Sequence, residues 1–273
     1  QPPNLRNGAQ TLTAVAPVGW RRSLAQAAVI ETTIDVRGVP LVVREAGDGK
    51  TLLYVHDELS TGWNPFLDLL AERFHIVAPE IPGFGGTALP VWIETIDDVA
   101  FLLADVADVV GGGAPIPVIG SSLGGWLVLE AALRAAAFSR IAAIGSPGAY
   151  LPGDPPTDYF FMTPEERLDL LFNNTGVVPE VSEDHSVRNQ AMTARLVWQP
   201  RYVSPKLEHR IPRITEPTLV VWGSDDRFLS QAHGRALVEN LPAGSIALVA
   251  NSGHFAALDQ PVETANVILD FLS

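Results

Sequence analysis

The chain has 273 residues, 47% hydrophobic and 18% charged, enough to bury one large core, and a formal net charge of −13. That acidity works against nucleic acid or an anionic membrane surface as a partner, and Arg21-Arg22 is the only adjacent basic pair. The absence of cysteine excludes disulfides, thiol catalysis and cysteine-ligated metals.

Residues 1–30 are rich in Gln, Asn, Pro and Ala and read as an N-terminal arm, with one short helix expected around Arg22–Ala28. The start, Gln1-Pro2-Pro3-Asn4, has neither the basic nor the apolar part of a signal peptide, and it lacks an initial Met, so the true start can lie further upstream. No apolar run is long enough to span a membrane, and a cytoplasmic location is expected. From Thr32 the pattern becomes β: Thr32–Val36 and Leu41–Arg44, joined by Arg37-Gly38-Val39-Pro40, predict a hairpin. Leu52–His56 and His75–Pro79 read as buried strands around a helix at Pro65–Glu72. A long helix at Ile96–Val110 then leads to the strand Ile116–Ile119.

That strand ends in Gly120-Ser121-Ser122-Leu123-Gly124 and passes at once into a helix expected over Leu123–Ala137. G-x-S-x-G between a strand and a helix is the signature of a tight turn that exposes a serine hydroxyl, and the glycine spacing selects Ser122 as candidate nucleophile. Further units follow: strand Ile141–Ser146, strand Thr218–Gly223, helix Gln231–Glu239, strand Ile246–Val249 and helix Val262–Leu272. Alternation of this kind predicts an α/β fold with a mostly parallel central sheet, helices on both faces and an antiparallel start. Between residues 147 and 217 no core strand is expected. Thr163-Pro164-Glu165-Glu166 is a capping box with Pro at the first helical position, and Ser186–Trp198 and Pro205–Arg210 suggest further helices, so this stretch reads as an inserted helical lid. The expected division is an arm at 1–30, a core at 31–146 and 218–273, and a lid at 147–217.

A serine hydroxyl needs an imidazole as base and a carboxylate to hold that imidazole's tautomer. Both follow Ser122 in the chain, as Ser224-Asp225-Asp226-Arg227-Phe228 past the end of one strand and Asn251-Ser252-Gly253-His254-Phe255 past the next. Of the remaining histidines, His75 is expected at a strand start and His185, His209 and His233 at the surface.

From about Thr32 to Phe271 this layout resembles the α/β-hydrolase superfamily, in particular its lid-bearing serine esterases and meta-cleavage-product hydrolases. The resemblance implies an α/β-hydrolase fold with a helical lid insertion, and assigns Ser122 as nucleophile, His254 as base and Asp226 as the triad acid, with Asp225 as fallback and a helix cap as the alternative role for Asp226. It places the oxyanion donors at the backbone N–H groups of Leu123 and Glu58. The chain departs from the family where His56 is followed by Asp57-Glu58 rather than glycine. These carboxylates are expected to be solvated on a turn; otherwise Asp57 or Glu58 contacts a polar substrate group or a water, or catalysis is weakened. Pro79–Thr87 resembles a family loop that usually has Asp in place of Glu80, and a structural role is expected for it.

The resemblance implies hydrolysis of small to medium hydrophobic or aromatic carboxylic esters through an acyl-enzyme, with no metal or organic cofactor and a small-molecule ester as partner. Candidate pocket residues are Asp57, Tyr159, Phe161, Trp198 and Phe255, with Tyr202 among the lid aromatics; Arg195 and Arg201 are expected to be solvated. The alternatives are a carbon-carbon bond hydrolase of the meta-cleavage type, against which Ser121 and Phe255 stand where that branch usually has Asn and Trp, a lactonase or perhydrolase, and a ligand-binding receptor on the same fold. Oligomeric state is not legible.

Overall fold

The computed structural model describes residues 11–12 and 28–273. In chain order the elements are β1 (Thr11–Leu12), β2 (Ile30–Val36), β3 (Val39–Ala46), β4 (Lys50–Val55), α1 (Pro65–Ala71), β5 (Phe74–Pro79), α2 (Ile96–Gly111), β6 (Ile116–Ser121), α3 (Leu123–Ala132) and β7 (Phe138–Ile144). They continue with α4 (Pro164–Leu171), α5 (Glu183–Val197), α6 (Leu207–Arg210), β8 (Thr218–Gly223), α7 (Gln231–Asn240), β9 (Gly244–Val249), α8 (Ala256–Asp259) and α9 (Pro261–Leu272). Among the described residues the strands form one sheet in the order β1-β9-β8-β7-β6-β4-β5-β3-β2. β2 and β3 form the antiparallel hairpin, β3 pairs antiparallel with β5, and the pairings from β5 through β4 to β9 are parallel.

The central strands are buried because helices cover both faces, which is why they read as continuous apolar runs. One face packs Val55, Val118 and Val220 beneath α2, α3 and α7; the other packs Leu52, Ile119 and Val221 beneath α1 and α9. Of the N-terminal arm, Thr11–Leu12 adds a parallel edge strand beside Ile246 and Ala247, while the helix expected at Arg22–Ala28 lies outside the described residues apart from Ala28.

Helix starts follow local chemistry. Thr95 and Asp98 form a capping box on α2, and Thr163 and Glu166 form the expected one on α4, with Pro164 at the first helical position. α5 starts at Glu183 rather than Ser186, because the Ser182 hydroxyl accepts from His185 N and Glu183 and Asp184 favour the positive end of the helix. α3 stops at Ala132, short of the expected Ala137, and β7 starts early at Phe138. His233 is buried rather than superficial: α7 turns it inward, and its Nε2 lies 2.9 Å from the Asp154 carbonyl oxygen.

Ser122 sits at the β6–α3 junction with φ 47° and ψ −115°, a backbone region that L-residues rarely occupy. It is reached because β6, α3 and β4 approach too closely for side chains. A Cβ on Gly120 would lie 2.3 Å from Gly124 O, and one on Gly124 would lie 2.3 Å from Val55 O. Gly124→Ala is therefore expected to cost about 1–3 kcal/mol of stability through overpacking, read as a lower midpoint in urea; an unchanged midpoint would show that the turn has slack.

Candidate active site

Three loops at the carboxyl ends of parallel strands, where open α/β sheets place their ligands, bring the candidate residues together. His254 Nε2 lies 2.8 Å from Ser122 Oγ, and Nδ1 lies 2.9 Å from Asp226 Oδ2. Asp226 has a second tie, since its Oδ1 accepts from the backbone N–H groups of Phe228 and Leu229 at 2.9 Å each. The cap of α7 is Ser230, not Asp226. Asp225 points elsewhere, bonding Ser224 Oγ at 3.1 Å and Asn173 Nδ2 at 3.4 Å.

His254 is held from behind by aromatic edges. Phe228 meets its ring at 4.8 Å and Phe255 at 5.0 Å, so Phe255 backs the imidazole from inside the core. Sequence reading missed the residue that fastens this loop, Asp259: its carboxylate accepts from Gly253 N at 2.7 Å, Asn173 N at 2.8 Å and Asn174 N at 3.0 Å, joining the histidine loop to the segment after α4. No motif marks it, because its partners are backbone groups brought near only by the fold.

The loop after β4 corrects the expectation of solvated carboxylates. Asp57 and Glu58 are 4% and 5% exposed. Asp57 Oδ1 accepts from Leu59 N and Ser60 N at 2.9 and 3.1 Å, closing an Asx-type turn on itself. That turn sends the Glu58 side chain inward onto the candidate nucleophile: Ser122 Oγ donates to Oε1 at 3.1 Å, Leu123 N donates to Oε2 at 3.3 Å, and the Tyr202 hydroxyl donates to Oε1 at 3.4 Å. The Leu123 N–H expected to face a developing oxyanion thus faces a carboxylate at the N-terminus of α3, where anions are favoured. The Glu58 backbone N–H donates to no protein group among the described residues.

The Ser122 hydroxyl carries one proton and faces two acceptors, so both contacts are hydrogen bonds only when a second proton resides on the imidazole or the carboxyl. Burial disfavours the imidazolium, but Asp226, then Glu58 and Asp57, outweigh it and raise the His254 pKa above the ordinary histidine value. His56 goes the other way, lowered by burial to about 4. It stays neutral, takes Ile81 N–H on Nε2 at 2.9 Å and directs Nδ1–H to the Asp57 carbonyl at 2.6 Å. Glu80 has the expected structural role: despite its burial, hydrogen bonds from Thr61, Arg44 and Thr87 hold its carboxyl below the usual range, and it ties the 79–87 loop to β3.

The candidate pocket residues divide. Tyr159 is buried, its hydroxyl 2.6 Å from that of Tyr202, and both rings pack against Phe228. Phe161 and Trp198 do not face this centre: they are 76% and 48% exposed, and both rings lie against the Arg201 guanidinium, which is paired with Asp158. Arg195 is half-exposed beside Glu94. Ser122 and His254 are each 1% exposed, and Tyr202, from the segment between β7 and β8, reaches Glu58 beside them. Among the described residues no cluster of His, Asp and Glu could hold a metal ion, and no helix is long and apolar enough to cross a membrane.

Comparison with known proteins agrees with this architecture. A family model described as the alpha/beta hydrolase family matches residues 52–267. The chain is 24% identical over 274 residues to 2-hydroxy-6-oxo-6-(2'-aminophenyl)hexa-2,4-dienoic acid hydrolase of Metapseudomonas resinovorans, covering 91% of this chain and 93% of that one. Among solved structures it resembles a serine hydrolase involved in carbazole degradation (TM-score 0.76, 22% identity, 90% of this chain and 99% of that one). It also resembles carboxylesterase CesB of Bacillus subtilis (TM-score 0.71, 19% identity, 91% and 93%).

Burial, followed by the neighbouring Glu58, pushes the Asp57 carboxyl up to about 7. The folded chain therefore keeps a proton that the unfolded chain releases near pH 4, and Asp57 costs stability as pH rises from about 4 to 7. Asp57→Asn, which can retain the turn through its Oδ1, is expected to be more stable than the native chain by on the order of 4 kcal/mol at pH 8 and by little at pH 4. Urea unfolding at the two pH values checks this; a pH-independent difference would contradict it.

Proposed function

The chain belongs to the alpha/beta hydrolase family, and from that premise we propose that it is a serine hydrolase of carboxylic esters, working through Ser122, His254 and Asp226. The observation that carries this reading is the continuous contact from Asp226 Oδ2 through His254 to Ser122 Oγ, at 2.9 and 2.8 Å. Asp226 holds Nδ1 protonated, which leaves Nε2 to take the hydroxyl proton once the imidazole is neutral. Ser122 Oγ then attacks the ester carbonyl carbon. With the Glu58 side chain turned off Leu123 N–H, to which its Oε2 is bonded in the free site, the tetrahedral oxyanion takes hydrogen bonds from Leu123 N–H and Glu58 N–H, and the proton on Nε2 passes to the departing alkoxide, leaving an acyl-enzyme and an alcohol. Water, deprotonated by Nε2, attacks the acyl carbon; the acid leaves and Ser122 regains its proton.

The substrate is a compact ester with an apolar or aromatic acyl group, because Tyr159, Tyr202 and Phe228 form the wall that the centre presents. The segment at 147–217 serves as a lid that opens to admit it, a role supported by the burial of Ser122 and by the reach of Tyr202 from that segment to Glu58. A second reading, hydrolysis of a carbon-carbon bond in a vinylogous diketone, has the support of the 24% identical relative, whose name is that of a dienoic acid hydrolase.

Release of nitrophenol from acetate, butyrate and octanoate esters tests the proposal. The native chain should turn over repeatedly, Ser122→Ala should lose at least about a thousandfold in kcat/KM, and Asp226→Asn about ten-thousandfold with Asp225→Asn within a few-fold of native. Turnover that survives in Ser122→Ala would overturn the proposal.

A further inference from the structure

We propose that Glu58 is a specificity residue which binds a hydrogen-bond-donating group, a hydroxyl or a primary ammonium, on the substrate carbon next to the scissile carbonyl. The inference rests on the esterase reading and names its substrate class.

Three observations lead to it. First, the Glu58 carboxylate lies where the acyl group must come, bonded to both the hydroxyl that attacks and the Leu123 N–H that would hold the oxyanion. Second, the loop that carries it is pinned on every side. His56 and Ile81 hold its start, the Asp57 turn closes its middle, Asn189 Nδ2 donates to Leu59 O at 2.9 Å, and Arg44 donates to Thr61 O at 2.8 Å. These ties hold the loop backbone at its start, middle and end, so a turn of the Glu58 side chain alone leaves the carboxylate within the substrate's reach. Third, among the described residues no lysine or arginine pairs with Glu58; its partners are a serine, a backbone amide and Tyr202.

A buried carboxylate without a fixed cation beside a centre that develops negative charge opposes attack on a plain ester. The same carboxylate favours a substrate that brings its own donor. A hydroxyl or ammonium on the α-carbon stands two bonds from the carbonyl carbon, so with the ester in the oxyanion site it lies next to the carboxylate. There it replaces Ser122 Oγ–H as the partner of Oε1, leaving the serine proton to Nε2. The rings of Tyr202 and Phe228, 4.9 Å apart at 86°, supply an aromatic flank that suits an ammonium as well as an apolar body.

The test compares nitrophenyl esters of phenylacetic acid, mandelic acid and phenylglycine, each rate divided by its uncatalysed hydrolysis rate, in the native chain, Glu58→Gln and Ser122→Ala. The expected result is at least a tenfold native preference for mandelate or phenylglycine over phenylacetate in kcat/KM, expressed mainly in KM. Glu58→Gln should lose the phenylglycine preference and lower the mandelate preference less. Preference for mandelate alone would assign the donor as a hydroxyl, and preference for phenylglycine as an ammonium. Equal gains on all three esters in Glu58→Gln would overturn the inference and make Glu58 an obstruction, and an unchanged native ratio in that variant would overturn it as well. Ser122→Ala keeps the esterase reading separate: loss of all three rates in it upholds that reading whatever the ratios in Glu58→Gln, and rates that survive in it overturn that reading.

Discussion

The close approach of three backbones at Gly120 and Gly124 is the constraint from which the rest of the centre follows. Because no Cβ intervenes, α3 starts hard against the end of β4, and Ser122 is held at positive φ between them. That puts the N-terminus of α3, whose first N–H groups have no partner within the helix, beside the loop that leaves β4. A strained turn of this kind persists only where the surroundings over-determine it. Here they do so through a buried parallel sheet on one side and the packed helix on the other.

The same approach sets the electrostatic character of the centre. An anion is welcome at the start of α3, and in this chain the anion is a side chain of its own, Glu58. Its charge is balanced by protons rather than by a fixed cation: one on the Ser122 hydroxyl, one shared with Tyr202, and one that the raised His254 pKa favours on the imidazole. The site is thus built around a proton inventory, and a substrate that changes the inventory changes whether His254 can act as a base.

How much of this could be read from residues alone depended on whether the signal was local. The hairpin at β2–β3, the capping box of α4 and the G-x-S-x-G junction are written in neighbouring residues, and all appear where the pattern put them. The Asp226–His254–Ser122 contacts were legible because chain order and strand ends define a single side of the sheet. The side chain of Glu58 was not: charge on a turn ordinarily seeks water, and only the Asx turn at Asp57, visible in three dimensions, directs it inward. Phe161 and Trp198 misled for the opposite reason, since aromatic character marks burial on average, while Arg201 gives these two rings a partner at the surface. The ties made by Asp259 escaped because backbone acceptors and donors leave no trace in composition.

Covalent labelling with a fluorophosphonate, followed by intact mass and peptide mapping, tests most directly whether Ser122 is the nucleophile. One adduct per chain is expected on Ser122, formed faster as pH rises and the His254 imidazole loses its proton, and absent from His254→Ala. An adduct on Ser121, Tyr202 or another residue, or a folded chain that takes no label across the pH range, would contradict it.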